Sequence, residues 1–72
     1  MVNNQHLHIR ATEVQKGDHI EIGGRRFVIE LIRDRLNPAT ELFKIFYMEA
    51  IKEPKILISL TMSEHDKITV WR

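Results

Sequence analysis

The chain of 72 residues contains no cysteine. That excludes a disulfide framework and any thiolate metal site, and it fits the reducing cytoplasm. Glycine and proline are scarce, three and two, too few for a collagen-like or low-complexity chain. No apolar run approaches the ~20 residues that cross a bilayer. The start, MVNNQHLHIR, has neither the basic opening nor the apolar centre of a signal peptide, so a soluble, cytoplasmic protein without a membrane role is expected. No sign of charge dominates either. Eleven Lys and Arg against ten Asp and Glu give a formal net charge of +1. Sequence-independent nucleic-acid binding draws on concentrated cations that release counterions from phosphates. Here it would have to rest on a local cluster, Arg25, Arg26, Arg33 and Arg35.

What is present suits one folded domain spanning residues 1–72. Hydrophobic residues make up 43% of the chain and charged residues 29%, ordinary values for a globular protein. A chain of this size buries only about 60% of its unfolded surface, which leaves room for one core.

The clearest local signal is KGDHIEIGGRRFVIELI, Lys16 to Ile32. Gly23-Gly24 is a two-residue connection of the kind primed turns require, because both positions accept positive φ. The register follows: Ile22 opposite Arg25, Glu21 opposite Arg26, Ile20 opposite Phe27, His19 opposite Val28. Ile20, Ile22, Phe27, Ile29 and Leu31 then share one face, and Glu21 and Arg26 form an opposite-charge pair on the other. Upstream, Leu7, Ile9 and Ala11 alternate with His6, His8 and Arg10, as in a strand. Downstream, Ile56, Ile58, Leu60 and Met62 alternate with Leu57, Ser59 and Thr61, and Ile68 and Val70 continue the pattern. Pairing Leu60 with Ile68 and Ile58 with Val70 aligns the two apolar faces, with Met62–Asp66 as a single helical turn capped by Ser63.

NPATELFKIFYMEAIKEP supports two readings. As a helix at about 38–52 it has Pro38 at its first position, Pro54 as a stop and an apolar stripe through Leu42, Phe46 and Ala50. As a strand it has aromatic and β-branched content in LFKIFYM and an antiparallel partner in KILISLT. The strand reading is the preferred one and makes the chain all-β, a small antiparallel barrel of five to six short strands. The helix reading makes it α+β.

With these residues in place, Gly17-Asp18-His19-Ile20-Glu21-Ile22-Gly23-Gly24 followed by Phe27-Val28-Ile29 resembles the first hairpin of small SH3-like barrels. Such hairpins occur in the N-terminal domain of elongation factor P, in transcription-associated barrels, and in small bacterial and phage proteins. The resemblance implies an SH3-like barrel over most of the chain, from a bacterium or its phage. The elongation-factor domain carries a Gly and Lys loop that approaches transfer RNA. The corresponding segment here, DRLNPAT at Asp34–Thr40, has neither residue, so that activity is not carried over.

Catalysis is not expected. Ser63, Glu64, His65 and Asp66 include the residue types of a hydrolase triad, but adjacent residues do not reach its geometry. Glu21 and Glu30 each have an arginine nearby and read as exposed ion-pair partners. His6 and His8, two apart on a strand, share a face that suits a metal, but no third ligand accompanies them, so no metal or cofactor is expected. No small-molecule substrate is expected in a domain without pocket-forming insertions.

More informative is the apolar set the core does not claim. In the β reading Val28, Ile32, Phe43, Ile45, Tyr47, Leu57 and Trp71 project away from Phe27, Ile29, Phe46, Ile58 and Val70, with Leu57 and Trp71 as cross-strand neighbours. Tyr47, Trp71, Leu57, Phe43 and Val28 are therefore the candidate contact residues for a protein partner or a second copy. Ordinary packing beneath a folded-over N-terminal segment is the competing reading of the same residues. From a different class, single-stranded nucleic acid would stack on Phe43, Tyr47 or Trp71 while the Arg cluster holds phosphates.

Overall fold

Gly23 and Gly24 set the first pairing. In this computed structural model, which describes residues 5–72, their φ angles are +59° and +79°. These are the positive values a tight hairpin needs to match the twist of its strands. The flanking strands, β2 (His19–Ile22) and β3 (Arg25–Leu36), pair in the expected register, from Ile22 opposite Arg25 to His19 opposite Val28. The other strands are β1 (His6–Arg10), β4 (Leu42–Ala50), β5 (Leu57–Ser63) and β6 (Lys67–Trp71). The fold is all-β. Six strands form one antiparallel sheet in the order β1-β6-β2-β3-β4-β5. The segment that also read as a helix at about 38–52 is β4, whose apolar residues on both faces are used at strand spacing.

A bulge in β3 sets which side chains enter the core. Ile29 faces Met48, but Leu31 faces Tyr47 and Ile32 faces Phe46, so Glu30 is the extra residue. A bulge exchanges the two faces downstream of it. Leu31, expected inside, is 44% exposed, and Ile32, expected outside, packs against the core. Arg33 and Arg35 are thereby placed on the outer face, while Asp34 projects from the other face, still exposed, and pairs with Lys44 at 2.7 Å.

The core consists of Ala11, Val14, Ile20, Phe27, Ile29, Phe46, Met48, Ala50 and Val70. Leu7, Ile9 and Ile68 from one end of the sheet, and Ile58, Leu60 and Met62 from the other, pack on this same cluster. The sheet therefore wraps around a single core. It does not close: β1 and β5 are its edges, and no hydrogen-bonded pairing joins them. The expected all-β chain of antiparallel strands forms, with six strands, while the open edges leave the expected barrel without closure among the described residues.

The expected β5–β6 hairpin is absent. Leu60 pairs with Phe46 and Ile58 with Met48, whereas Ile68 and Val70 pair with Ile9 and Leu7. The connection is a tight turn rather than a helical one. Asp66 accepts from the Ser63 amide through its carboxylate (3.0 Å) and donates its own amide back to the Ser63 carbonyl. The Asp66 carbonyl accepts the Ala11 amide at 2.8 Å, and this directs β6 toward β1.

Among the described residues one charged side chain is buried. Asp18, 3% exposed, receives Arg72 Nε at 2.8 Å and a second Arg72 nitrogen at 3.1 Å. It also accepts the Gln15 amide at 2.9 Å. Arg72 donates further to the Glu13 carbonyl. Its guanidinium is held above its ordinary pKa chiefly by the hydrogen bonds to Asp18. This fork ties the end of β6 to the 13–18 segment ahead of β2.

Candidate interaction surface

Strand alternation across β3, β4 and β5 places three columns of side chains on the outer face. β4 contributes Phe43, Ile45, Tyr47 and Glu49. Opposite them on β3 lie Arg35, Arg33, Leu31 and Val28, and on β5 Ser63, Thr61, Ser59 and Leu57. Tyr47 is 38% exposed and Leu57 77%, while Phe43, Ile45 and Val28 are half-buried. A hollow of about 330 Å³ opens beside the bulge, lined by Glu30, Tyr47, Met48, Leu57, Ile58 and Ser59. Its lining is mostly apolar, with Glu30 as its one carboxylate.

Four of the five expected contact residues, Phe43, Tyr47, Leu57 and Val28, thus lie together on one face. The fifth, Trp71, lies on the same face but further along the sheet, in the row Val28, His19, Trp71. Trp71 is not the neighbour of Leu57, which pairs with Glu49. It lies between His6 on β1 and His19 on β2, because β6 joins β1 rather than β5. The His6 ring is tilted against the indole at 5.9 Å, and the Arg26 guanidinium sits over it at 4.5 Å. A cation above an indole is attracted by the ring's quadrupole. Arg26 takes this position instead of the ion pair with Glu21 that the register invites. The indole therefore already has two intramolecular partners.

The arginines divide in the same way. Arg25 donates to the carbonyls of Lys52 (3.1 Å) and Pro54 (2.7 Å) and so fastens the β4–β5 loop to β3. Arg26 is committed to Trp71. Arg33 and Arg35 are exposed beside Ile45 and Phe43, with no carboxylate in ion-pair range among the described residues.

His19 titrates below its ordinary value of 6.5, first through burial, then through Arg26, with Asp18 opposing. The unfolded chain then binds the proton more readily than the fold does. Stability should be full above about pH 6.5 and fall as the pH drops through the folded pKa. Thermal unfolding at about pH 7.5 and about pH 5 should show this loss, and His19→Gln should reduce it. An unchanged slope in that variant would assign the effect elsewhere.

The remaining candidates are occupied structurally. His8 Nδ1 lies 3.1 Å from Thr69 Oγ1. The Ser63 hydroxyl accepts the His65 amide, and Glu64 accepts the Leu42 amide. Among the described residues no group of three or more His, Cys, Asp or Glu converges as a metal site would require. No helix of the structure is long and apolar enough to cross a membrane.

Sequence reasoning missed Leu31 as an outer residue and the Asp18–Arg72 tie. The first was legible in principle, since unbroken alternation past Leu31 would drive Arg33 and Arg35 into the core. Nothing local announced the second, because its partners stand 54 residues apart in the chain. Comparison of the chain with protein-family models, with curated proteins and with solved structures returned no match.

Proposed function

We propose that this chain is a non-catalytic interaction module that contacts a protein partner through the outer face of β3, β4 and β5. The observation that carries this reading is the contiguous set Val28, Leu31, Phe43, Ile45, Tyr47 and Leu57. Strands whose inner residues already fill the core have no folding need for a second apolar face. Tyr47 and Phe43 supply the rigid aromatic area that dominates interface energies. Arg33 and Arg35 form an unpaired basic rim, which favours an acidic partner surface and faster encounter with it. Trp71, on the far side of Val28 from Tyr47 and Leu57, is already engaged by His6 and Arg26 and is peripheral. The SH3-like character, and with it a bacterial or phage origin, rests on the Gly17–Gly24 hairpin and the meander that follows it.

The test is affinity capture from the source cell with the intact chain and with Tyr47→Ser. A specific partner retained by the first should bind the second roughly tenfold or more weakly, at unchanged thermal stability. Retention at equal strength would remove Tyr47, and with it this face, from the contact.

A second reading keeps one specific observation in its favour: Arg33, Arg35, Phe43 and Tyr47 share a face from which Asp34 is turned away. A single-stranded nucleic acid could stack there. Amide NMR titration with a mixed-sequence oligonucleotide separates the two. Shifts at those four residues that fade with salt would transfer the conclusion to nucleic acid, and their absence would leave the protein reading in place.

A further inference from the structure

The outer edge of β5 is a row of main-chain groups without partners. The amide of Glu64 donates to the Leu42 carbonyl, and that of Ala50 to the Ile56 carbonyl. Hydrogen-bonded pairs alternate along an antiparallel ladder. The even-numbered residues of β5, Ile58, Leu60 and Met62, therefore turn their N–H and C=O toward β4, and the odd-numbered ones turn theirs away. Ser63 is satisfied by Asp66. Leu57, Ser59 and Thr61 have no main-chain partner among the described residues, and no strand other than β4 lies along β5.

This edge also lacks the devices that usually blunt one. From Leu57 to Ser63, LISLTMS, there is no charge, no proline and no bulge, although lysine, proline and bulges are the common protection against edge pairing. The opposite edge, β1, differs. It presents His6, His8 and Arg10, and the Arg10 amide is taken by Glu13.

We infer that β5 pairs with β5 of a second copy, antiparallel about a two-fold axis at Ser59, joining two sheets into one continuous sheet. The register is fixed by the three free residues. Ser59 faces Ser59 of the partner subunit, and Leu57 faces Thr61 of the partner subunit and the reverse, which satisfies every free group through about six main-chain bonds. A shift by two residues would bring the already satisfied Ser63 into the ladder and lose part of this set. On the inner face the same register sets Ile58 against the partner's Leu60, so apolar meets apolar. On the outer face it sets the exposed Leu57 over the partner's Thr61. Self-complementarity about one axis is what an isologous dimer requires. An uncharged strand offers a second copy no repulsion, and it offers a charged partner nothing to recognise. The inference concerns the main-chain edge and is independent of the outer-face reading above.

The test is sedimentation-equilibrium mass measurement on the intact chain over a concentration series, combined with amide hydrogen exchange. A dimer should accumulate below about 1 mM. The amides of Leu57, Ser59 and Thr61 should pass from fast to slow exchange as it forms, while those of Ile58, Leu60 and Met62 are slow throughout. Ser59→Pro removes both central bonds without touching the β4 ladder, since its amide points outward. It should weaken the dimer by about tenfold or more while leaving the monomer folded. Ser59→Lys, which sets like charges face to face, is the second variant should the proline disturb the strand. Phe43→Ser on the outer face should leave the dimer intact. A monomer at every concentration, or a dimer untouched by both Ser59 variants, would overturn the inference. A dimer lost only in Phe43→Ser would assign self-association to the outer face instead.

Discussion

Phe46→Ala is expected to cost about 3–5 kcal/mol, the range for truncating a fully buried phenylalanine. Phe46 has no measurable exposure. It pairs with Ile32 on one side and Leu60 on the other, so its ring fills the space beneath three strands at once. Stability of roughly 0.05–0.15 kcal/mol per residue gives a chain of 72 residues about 4–11 kcal/mol in total. The variant should therefore have a large unfolded fraction at 25 °C, read by circular dichroism or by loss of amide dispersion. Phe27→Ala, at the β2–β3 hairpin and 4% exposed, should approach the same loss. A Phe46→Ala protein that melts near the parent temperature would mean the core is centred elsewhere.

Arg72→Ala is the second substitution expected to act strongly, at about 3 kcal/mol. Its cost comes from what is left behind. Asp18 would remain buried with only the Gln15 amide to compensate its carboxylate, and a buried charge without its partner is expensive. Asp18→Ala should cost less, about 2 kcal/mol, since the side chain of Arg72 is 31% exposed and its guanidinium can hydrate once released. Chemical denaturation of both variants checks the order. Equal small losses would show that the fork is dispensable, and Asp18→Ala as the worse of the two would mean that the carboxylate matters for the 13–18 turn more than for Arg72.

The hairpin was readable because its determinants are adjacent: two glycines fix the turn, the turn fixes the register, and Phe27 and Ile29 then fall inside. β4 was readable as a strand because LFKIFYM has apolar residues at both parities, as a strand with a core face and a second apolar face requires. Two features escaped. Alternation alone does not locate a bulge when Leu31 and Ile32 are both apolar, and only the fate of Arg33 and Arg35 discriminates between them. The partner of β6 escaped for a different reason. Ile68 and Val70 match the parity of Leu60 and Ile58 as well as that of Ile9 and Leu7, and periodicity carries no information about which matching strand lies alongside. The candidate surface inherited both outcomes. Its β4 and β5 members stood where expected, while Trp71 moved with β6 to a place between β1 and β2, four strands from Leu57.

The strand order also governs how the chain reaches its fold. β2, β3, β4 and β5 are successive neighbours, each joined to the next by a connection of a few residues. Their contacts form with little loop closure. β6 is different: it must find Leu7 and Ile9 with Val70 and Ile68 across nearly the whole chain, and the entropy of closing that loop is spent before any contact returns it. The meander is thus the natural early structure, with β1 and β6 docking afterwards and the Arg72–Asp18 fork latching last. Until that docking, the uncharged edge of β5 and the uncovered half of the core are exposed together, so refolding at high concentration is the condition under which this chain is most prone to aggregate.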